Sequence, residues 1–249
     1  MSGHSKWSTI KRKKGALDAK RSKIFTKIIK EISVAVREGG PDPEGNPRLR
    51  LAIQTAKANN MPKENMERAI KKSSGTDGAH YQEVTYEGYA SNGVAVFVEC
   101  LTDNLNRTVA AVRLAFSKAG GALGTNGSLE FIFDRKGVFV LKKGEQQINE
   151  EEFTLEMIDA GAEDVVFEDE FITVYTAFEG FGAMQKKVEE LGVEVESAEV
   201  QRIPKTTVKL DLENARKVLK LIDVLEDDDD VQKVYHNLEL TEEMMAELE

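Results

Sequence analysis

The stretch Gly137-Val138-Phe139-Val140-Leu141 opens the segment whose reading decides the fold. A short apolar, β-branched run of this kind reads as a buried strand. Behind it come a helical pattern over 151–160, strands over 164–167 and 171–176, a helix over 181–190 and a strand over 193–199. The succession β-α-β-β-α-β is that of a split βαβ, ferredoxin-like domain. On one side, residues 94–101, 108–118 and 129–133 read β-α-β; on the other, 206–210, 212–225 and 231–236 do the same. The pattern therefore predicts one α+β domain (135–204) inserted between the halves of another (79–134 plus 205–240). Residues 241–249 read as a short acidic helix capped by Thr241.

The N-terminal part is helical. From Arg21, the residues Ile24, Ile28, Ile29, Ile32, Ala35 and Val36 recur at helical spacing, with Lys23, Lys27 and Lys30 on the opposite, outer face. Gly39-Gly40-Pro41 stops this helix. Asn46-Pro47 starts a second, a capping side chain followed by proline at the first helical position. Its apolar line is Leu49, Ile53 and Ala56, and it ends near Asn59-Asn60. Pro62 opens a third helix, which turns Met66, Ala69 and Ile70 inward and carries Lys71-Lys72 at its C-terminal end. The expected fold class is thus α+β multidomain: a three-helix bundle (21–75), then two ferredoxin-like α+β domains, one inserted in the other.

Charge divides the chain. The 249 residues carry a net charge of −10, yet residues 1–30 hold ten Lys or Arg against one acid, Asp18. Residues 1–75 carry 18 basic and 7 acidic side chains, the remainder 16 and 37. A basic module on an acidic protein points to a polyanionic partner. Residues 1–20 have little apolar periodicity and read as an arm. The candidate nucleic-acid ligands are Lys6, Trp7, Lys11, Arg12, Lys13, Lys14, Lys20, Arg21, Lys23, Lys27 and Lys30. The cations would meet phosphates and Trp7 would stack on a base. RNA and DNA both fit, because the pattern does not separate them.

Other classes find little support. No apolar run approaches the length of a membrane span, and no secretory h-region follows the N-terminal charges. The expected address is cytoplasmic. One cysteine, Cys100, within an apolar run excludes intramolecular disulfides and a Cys-based zinc site. No metal, cofactor or small-molecule substrate is expected, and the Asp227–Asp230 run reads as a solvated turn. Gly120-Gly121-Ala122-Leu123-Gly124 follows a helix, the reverse of phosphate-loop order, and reads as a helix end and turn.

One polar constellation stands at a strand-to-helix junction: Glu99, Asp103, Asn104 and Arg107, with Asn126 further on. Read as an enzyme site, Glu99 and Asp103 pair and Arg107 clamps an anion. Read structurally, Asp103 or Asn106 caps the helix and Arg107 partners Glu99. Neither a Ser-His-Asp nor a Cys-His arrangement accompanies it, so no catalytic residue is assigned.

Several motifs resemble the YebC/PmpR family. They are Gly3-His4-Ser5-Lys6-Trp7, Asp18-Ala19-Lys20-Arg21, Lys23-Ile24-Phe25-Thr26-Lys27, Asn46-Pro47-Arg48-Leu49-Arg50 and Ala58-Asn59-Asn60-Met61-Pro62. Tyr86-Glu87-Gly88-Tyr89, Glu99-Cys100-Leu101-Thr102-Asp103-Asn104 and Gly124-Thr125-Asn126-Gly127-Ser128 fit as well. Arg12 stands where family members often have His. The resemblance implies one helical and two α+β domains, a bacterial cytoplasmic setting and no enzymatic activity. It also implies one of two roles: a probable transcriptional regulator that binds DNA, or a translation factor. The second follows the family's mitochondrial translational activator and its bacterial members linked to stalled ribosomes.

Overall fold

The computed structural model describes residues 18–75, 80–144, 148–168, 170–241 and 244, with residues 18–20 as backbone only. Helix α1 spans Asp18–Gly39, α2 Pro47–Ala58 and α3 Lys63–Ser73. Their shared core is Ile28, Ile32, Ala35, Val36, Leu49, Ala52, Ala56, Met61, Met66 and Ala69. Ile24 and Ile29, expected in the apolar line, are 40% and 38% exposed, so the buried stripe is narrower than the run of isoleucines implied. Asn46 ties the first two helices together. Its Oδ1 accepts from the Leu49 N–H at 3.0 Å, while Nδ2 donates to the carbonyls of Ala35 at 2.7 Å and Gly40 at 2.8 Å. Gly40 leaves α1 at φ 85°, a conformation that suits glycine.

The first sheet has the order β3-β1-β2-β8. Its strands are β1 (Gln82–Tyr89), β2 (Ala95–Thr102), β3 (Ala122–Leu123) and β8 (Val231–His236). Strand β1 pairs antiparallel with β2 and β3, and β2 antiparallel with β8. Helices α4 (Leu105–Lys118) and α7 (Leu212–Glu226) cover one face, burying Val96, Val98, Cys100, Phe116, Val218 and Ile222 in one core. Against the other face pack Leu129 and Phe133, on Ala95, Phe97 and Tyr235.

The second sheet has the order β5-β6-β4-β7, from β4 (Phe133–Lys142), β5 (Ala162–Phe167), β6 (Phe171–Ala177) and β7 (Val195–Pro204). With α5 (Glu150–Asp159) and α6 (Phe181–Leu191) the chain order is β-α-β-β-α-β. The spatial order 2-3-1-4 is that of a split βαβ. The chain divides into two compact units, Met1–Phe133 with Pro204–Glu249, and Asp134–Ile203. The α+β multidomain class read from the sequence holds, with seven helices and two four-stranded antiparallel sheets among the described residues.

The flanking elements differ in detail from the expected β-α-β halves. Residues 82–89 form a strand absent from the expected elements, although Glu83-Val84-Thr85-Tyr86-Glu87 alternates polar and apolar side chains with the period of a strand. Residues 126–132 are turns rather than a strand; the Glu87 carboxylate, 3% exposed, holds them by accepting from the N–H groups of Gly127 at 2.7 Å and Leu129 at 2.6 Å. Residues 206–210 contribute only a single bridge, Val208 to Leu238. The first sheet is therefore built β-β-α-β and then α-β around the insertion. The helix expected over 241–249 falls almost wholly outside the described residues.

Candidate nucleic-acid interface

Of the expected nucleic-acid ligands, Lys6, Trp7, Lys11, Arg12, Lys13 and Lys14 lie outside the described residues, as does the side chain of Lys20. Arg21, at the base of α1, is exposed; it donates to the Asn60 carbonyl at 3.1 Å and lies over the Phe25 ring. Asn60 itself has φ 54° and turns the chain between α2 and α3.

The remaining three do not form an outer face. Lys23, Lys27 and Lys30 recur at one-turn spacing and meet the C-terminal end of α7. Lys23 Nζ lies 3.1 Å from the Asp227 carboxylate and donates to the Asp227 carbonyl. Lys27 Nζ donates to the Glu226 carbonyl at 2.7 Å. Lys30, 7% exposed, donates to the carbonyls of Asp229 at 2.8 Å and Leu101 at 3.3 Å, and to Asp230 Oδ1 at 2.7 Å. Its ammonium also stands over the Tyr81 ring, 5.3 Å from the centroid. The physical reason is local. The last carbonyls of a helix lack internal partners and carry partial negative charge, so cations collect there.

Asp230 is the residue that sequence reasoning missed. It was read within a solvated acidic turn, but it is 4% exposed. Besides Lys30, it accepts from Arg107 at 2.7 Å and from the hydroxyls of Thr108 at 2.8 Å and Thr102 at 3.3 Å. Burial pushes its carboxyl up, but donation from Lys30, Arg107 and Thr108 outweighs that and holds it below the ordinary carboxylate value. A carboxylate so fully engaged has no free lone pair directed at a substrate, which makes it a structural anion. The signal available in the sequence was the regular lysine spacing, which called for a row of acceptors.

The constellation at the junction is brought together in part. Asn104, rather than Asp103 or Asn106, caps α4, accepting from the Arg107 N–H at 3.0 Å. Asp103 pairs with the Arg107 guanidinium at 2.8 Å. Arg107 reaches Asp230 and not, as expected, Glu99, which stands opposite Lys233 in the register of β2 and β8. Asn126 is exposed in the turn held by Glu87. Cys100 is buried, and burial together with Asp228 and Asp230 pushes its thiol up to about 12. That is the opposite of what a nucleophile needs. Among the described residues no group of three or more His, Cys, Asp or Glu could hold a metal ion, and no helix is long and apolar enough to cross a membrane. Exposed cations remain elsewhere on the bundle, at Lys57, Arg68, Lys71 and Lys72.

Residues 5–76 match the model of the TACO1/YebC protein N-terminal domain, and residues 81–238 that of the TACO1/YebC second and third domain. A probable transcriptional regulatory protein of Amoebophilus asiaticus is 55% identical over 240 residues, spanning 96% of this chain and 98% of its own. One from Geobacter sulfurreducens is 53% identical over 249 residues, covering all of both chains. The crystal structure of a conserved hypothetical protein from Aquifex aeolicus superposes with a TM-score of 0.81 at 48% identity, over 90% of this chain and 93% of the other.

Proposed function

Because this chain belongs to the TACO1/YebC family, we propose that it is a non-enzymatic, cytoplasmic, nucleic-acid-binding regulator of gene expression. The names of its relatives are those of transcriptional regulatory proteins, a role whose nucleic acid would be promoter DNA. The observation that carries the proposal is the block of ten Lys and Arg in residues 1–30 of a chain with net charge −10. Since Lys23, Lys27 and Lys30 are bonded within the protein, the contact falls to Lys6, Lys11, Arg12, Lys13, Lys14, Lys20 and Arg21, with Trp7 for stacking. The acidic remainder repels a polyanion and limits contact to this end.

A second reading, ribosomal RNA and a translational role, is favoured by Trp7 beside the cations, because an aromatic in a basic arm suits unstacked RNA bases better than an intact duplex. The deciding experiment compares co-sedimentation with ribosomes and gel shifts of promoter DNA across a salt series. Replacing Lys11, Arg12, Lys13 and Lys14 by Glu is expected to abolish the binding. If six or more cations meet phosphates, affinity should fall on the order of a thousandfold between low and physiological salt. Equal binding by the charge-reversed protein contradicts the proposal, and the preferred substrate separates the two versions.

A further inference from the structure

The lysines of α1 are arranged as a phosphate-binding stripe would be, one turn or about 5.4 Å apart, yet each is bonded to the end of α7. Lys23 meets Asp227, Lys27 the Glu226 carbonyl, and Lys30 the Asp229 carbonyl and the Asp230 carboxylate. This row of acceptors, carbonyls of Glu226, Asp227 and Asp229 and carboxylates of Asp227 and Asp230, occupies the lysines as the phosphate oxygens of a nucleic-acid backbone would. We infer that residues 226–230 act as an internal surrogate for a nucleic-acid backbone, so that the Lys23/Lys27/Lys30 stripe is a masked binding surface exposed when a single-stranded nucleic acid displaces the acidic turn.

A second observation supports displacement. The core of the three-helix bundle and the core beneath the first sheet are separate clusters of buried residues. Among the described residues the bundle meets the sheet and its approach through polar groups, namely the lysine contacts, Arg48 with Glu83 and Arg37 with His80 at 2.9 Å, and through Lys30 over the Tyr81 ring. The outermost lysine contact is reachable from solvent, since the Lys23 and Asp227 side chains are 40% and 67% exposed, whereas the Lys30 and Asp230 side chains, 8% and 5% exposed, open last. Exposed ion pairs contribute little and weaken with salt, whereas a polyanion offers many contacts at once. The bundle can then leave the sheet without opening either core.

This inference rests on the nucleic-acid reading above, and its test keeps the two apart. Fluorophores placed by Gln54→Cys on α2 and Lys220→Cys on α7, both exposed positions, report the separation of bundle and sheet by energy transfer. Cys100 is buried and does not compete for label. The probe is an oligouridylate, titrated into the wild type and into Asp227→Asn/Asp229→Asn, with Glu189→Gln/Glu190→Gln as a control of equal charge change. The expected result is loss of transfer at saturating RNA, and binding about three- to tenfold tighter in the aspartate variant than in the control. RNA bound with unchanged transfer, or equal affinity in variant and control, overturns the masked surface while leaving nucleic-acid binding intact. No binding of RNA by any of the three proteins overturns the RNA version of the nucleic-acid reading and this inference with it.

Discussion

A carboxylate that is 4% exposed, as Asp230 is, stays ionised only because donors have replaced its water. Lys30, Arg107, Thr102 and Thr108 supply them, and the carboxyl titrates below its ordinary value. The sign of the pH dependence follows. A carboxyl depressed in the folded state contributes stability at every pH above its unfolded value, near 3.9, and loses it as pH falls through the folded value. Asp230→Asn leaves the buried Lys30 ammonium without its counterion and is expected to cost about 3 kcal/mol at neutral pH. Urea unfolding should show a constant deficit down to about pH 4 that shrinks below it; a deficit that grows on acidification contradicts the assignment. Sequence placed Asp230 in a turn correctly but had no means of seeing its burial, because its partners come from residues 30, 102, 107 and 108. Arg107 was legible as an anion partner for the same junction, and only the identity of the anion was not.

At the scale of elements, side-chain chemistry read from sequence did well wherever it was local. Asn46-Pro47 marks the start of α2, Gly40 the end of α1, and the alternation of helix and strand through 137–199 the second sheet. Asn46 also does what its capping role did not reveal, bridging the carbonyls of Ala35 and Gly40. Asn46→Ala is therefore expected to destabilise the protein by about 2–3 kcal/mol, one cap and two buried hydrogen bonds, measured by thermal or urea unfolding. A loss below about 1 kcal/mol would reduce Asn46 to an ordinary cap. A Cβ at Gly39 would come within 2.6 Å of the Asn46 amide, so the glycine and the asparagine are fitted to each other. Strand β1 shows where local reading fails. Glu87 looks like a surface residue, but its carboxylate is buried to hold two amides of a turn forty residues away.

At the scale of the whole molecule, residues 134–203 form a compact unit flanked on both sides by the chain of the other. The ends it interrupts lie together, since the Lys205 N–H donates to the Ile132 carbonyl at 2.9 Å. The inserted segment is expected to fold alone, with a cooperative transition and its own far-UV spectrum. The remainder, with 133 joined to 204 by a short Gly-Ser linker, should keep its helix content. Excised 134–203 that stays unfolded would show that the insertion depends on its host. By itself the sequence determined the α+β class, the helical N-terminal part, the split βαβ order of 137–199 and the opposition of a basic end to an acidic body. Those properties follow from short-range periodicity, capping and composition. Only the tertiary structure decided that Lys23, Lys27 and Lys30 face the end of α7, and that Asp230 rather than Glu99 receives Arg107. Those partners lie between 123 and 204 residues apart in the chain, a separation across which a charged side chain carries no local signal of whom it will meet.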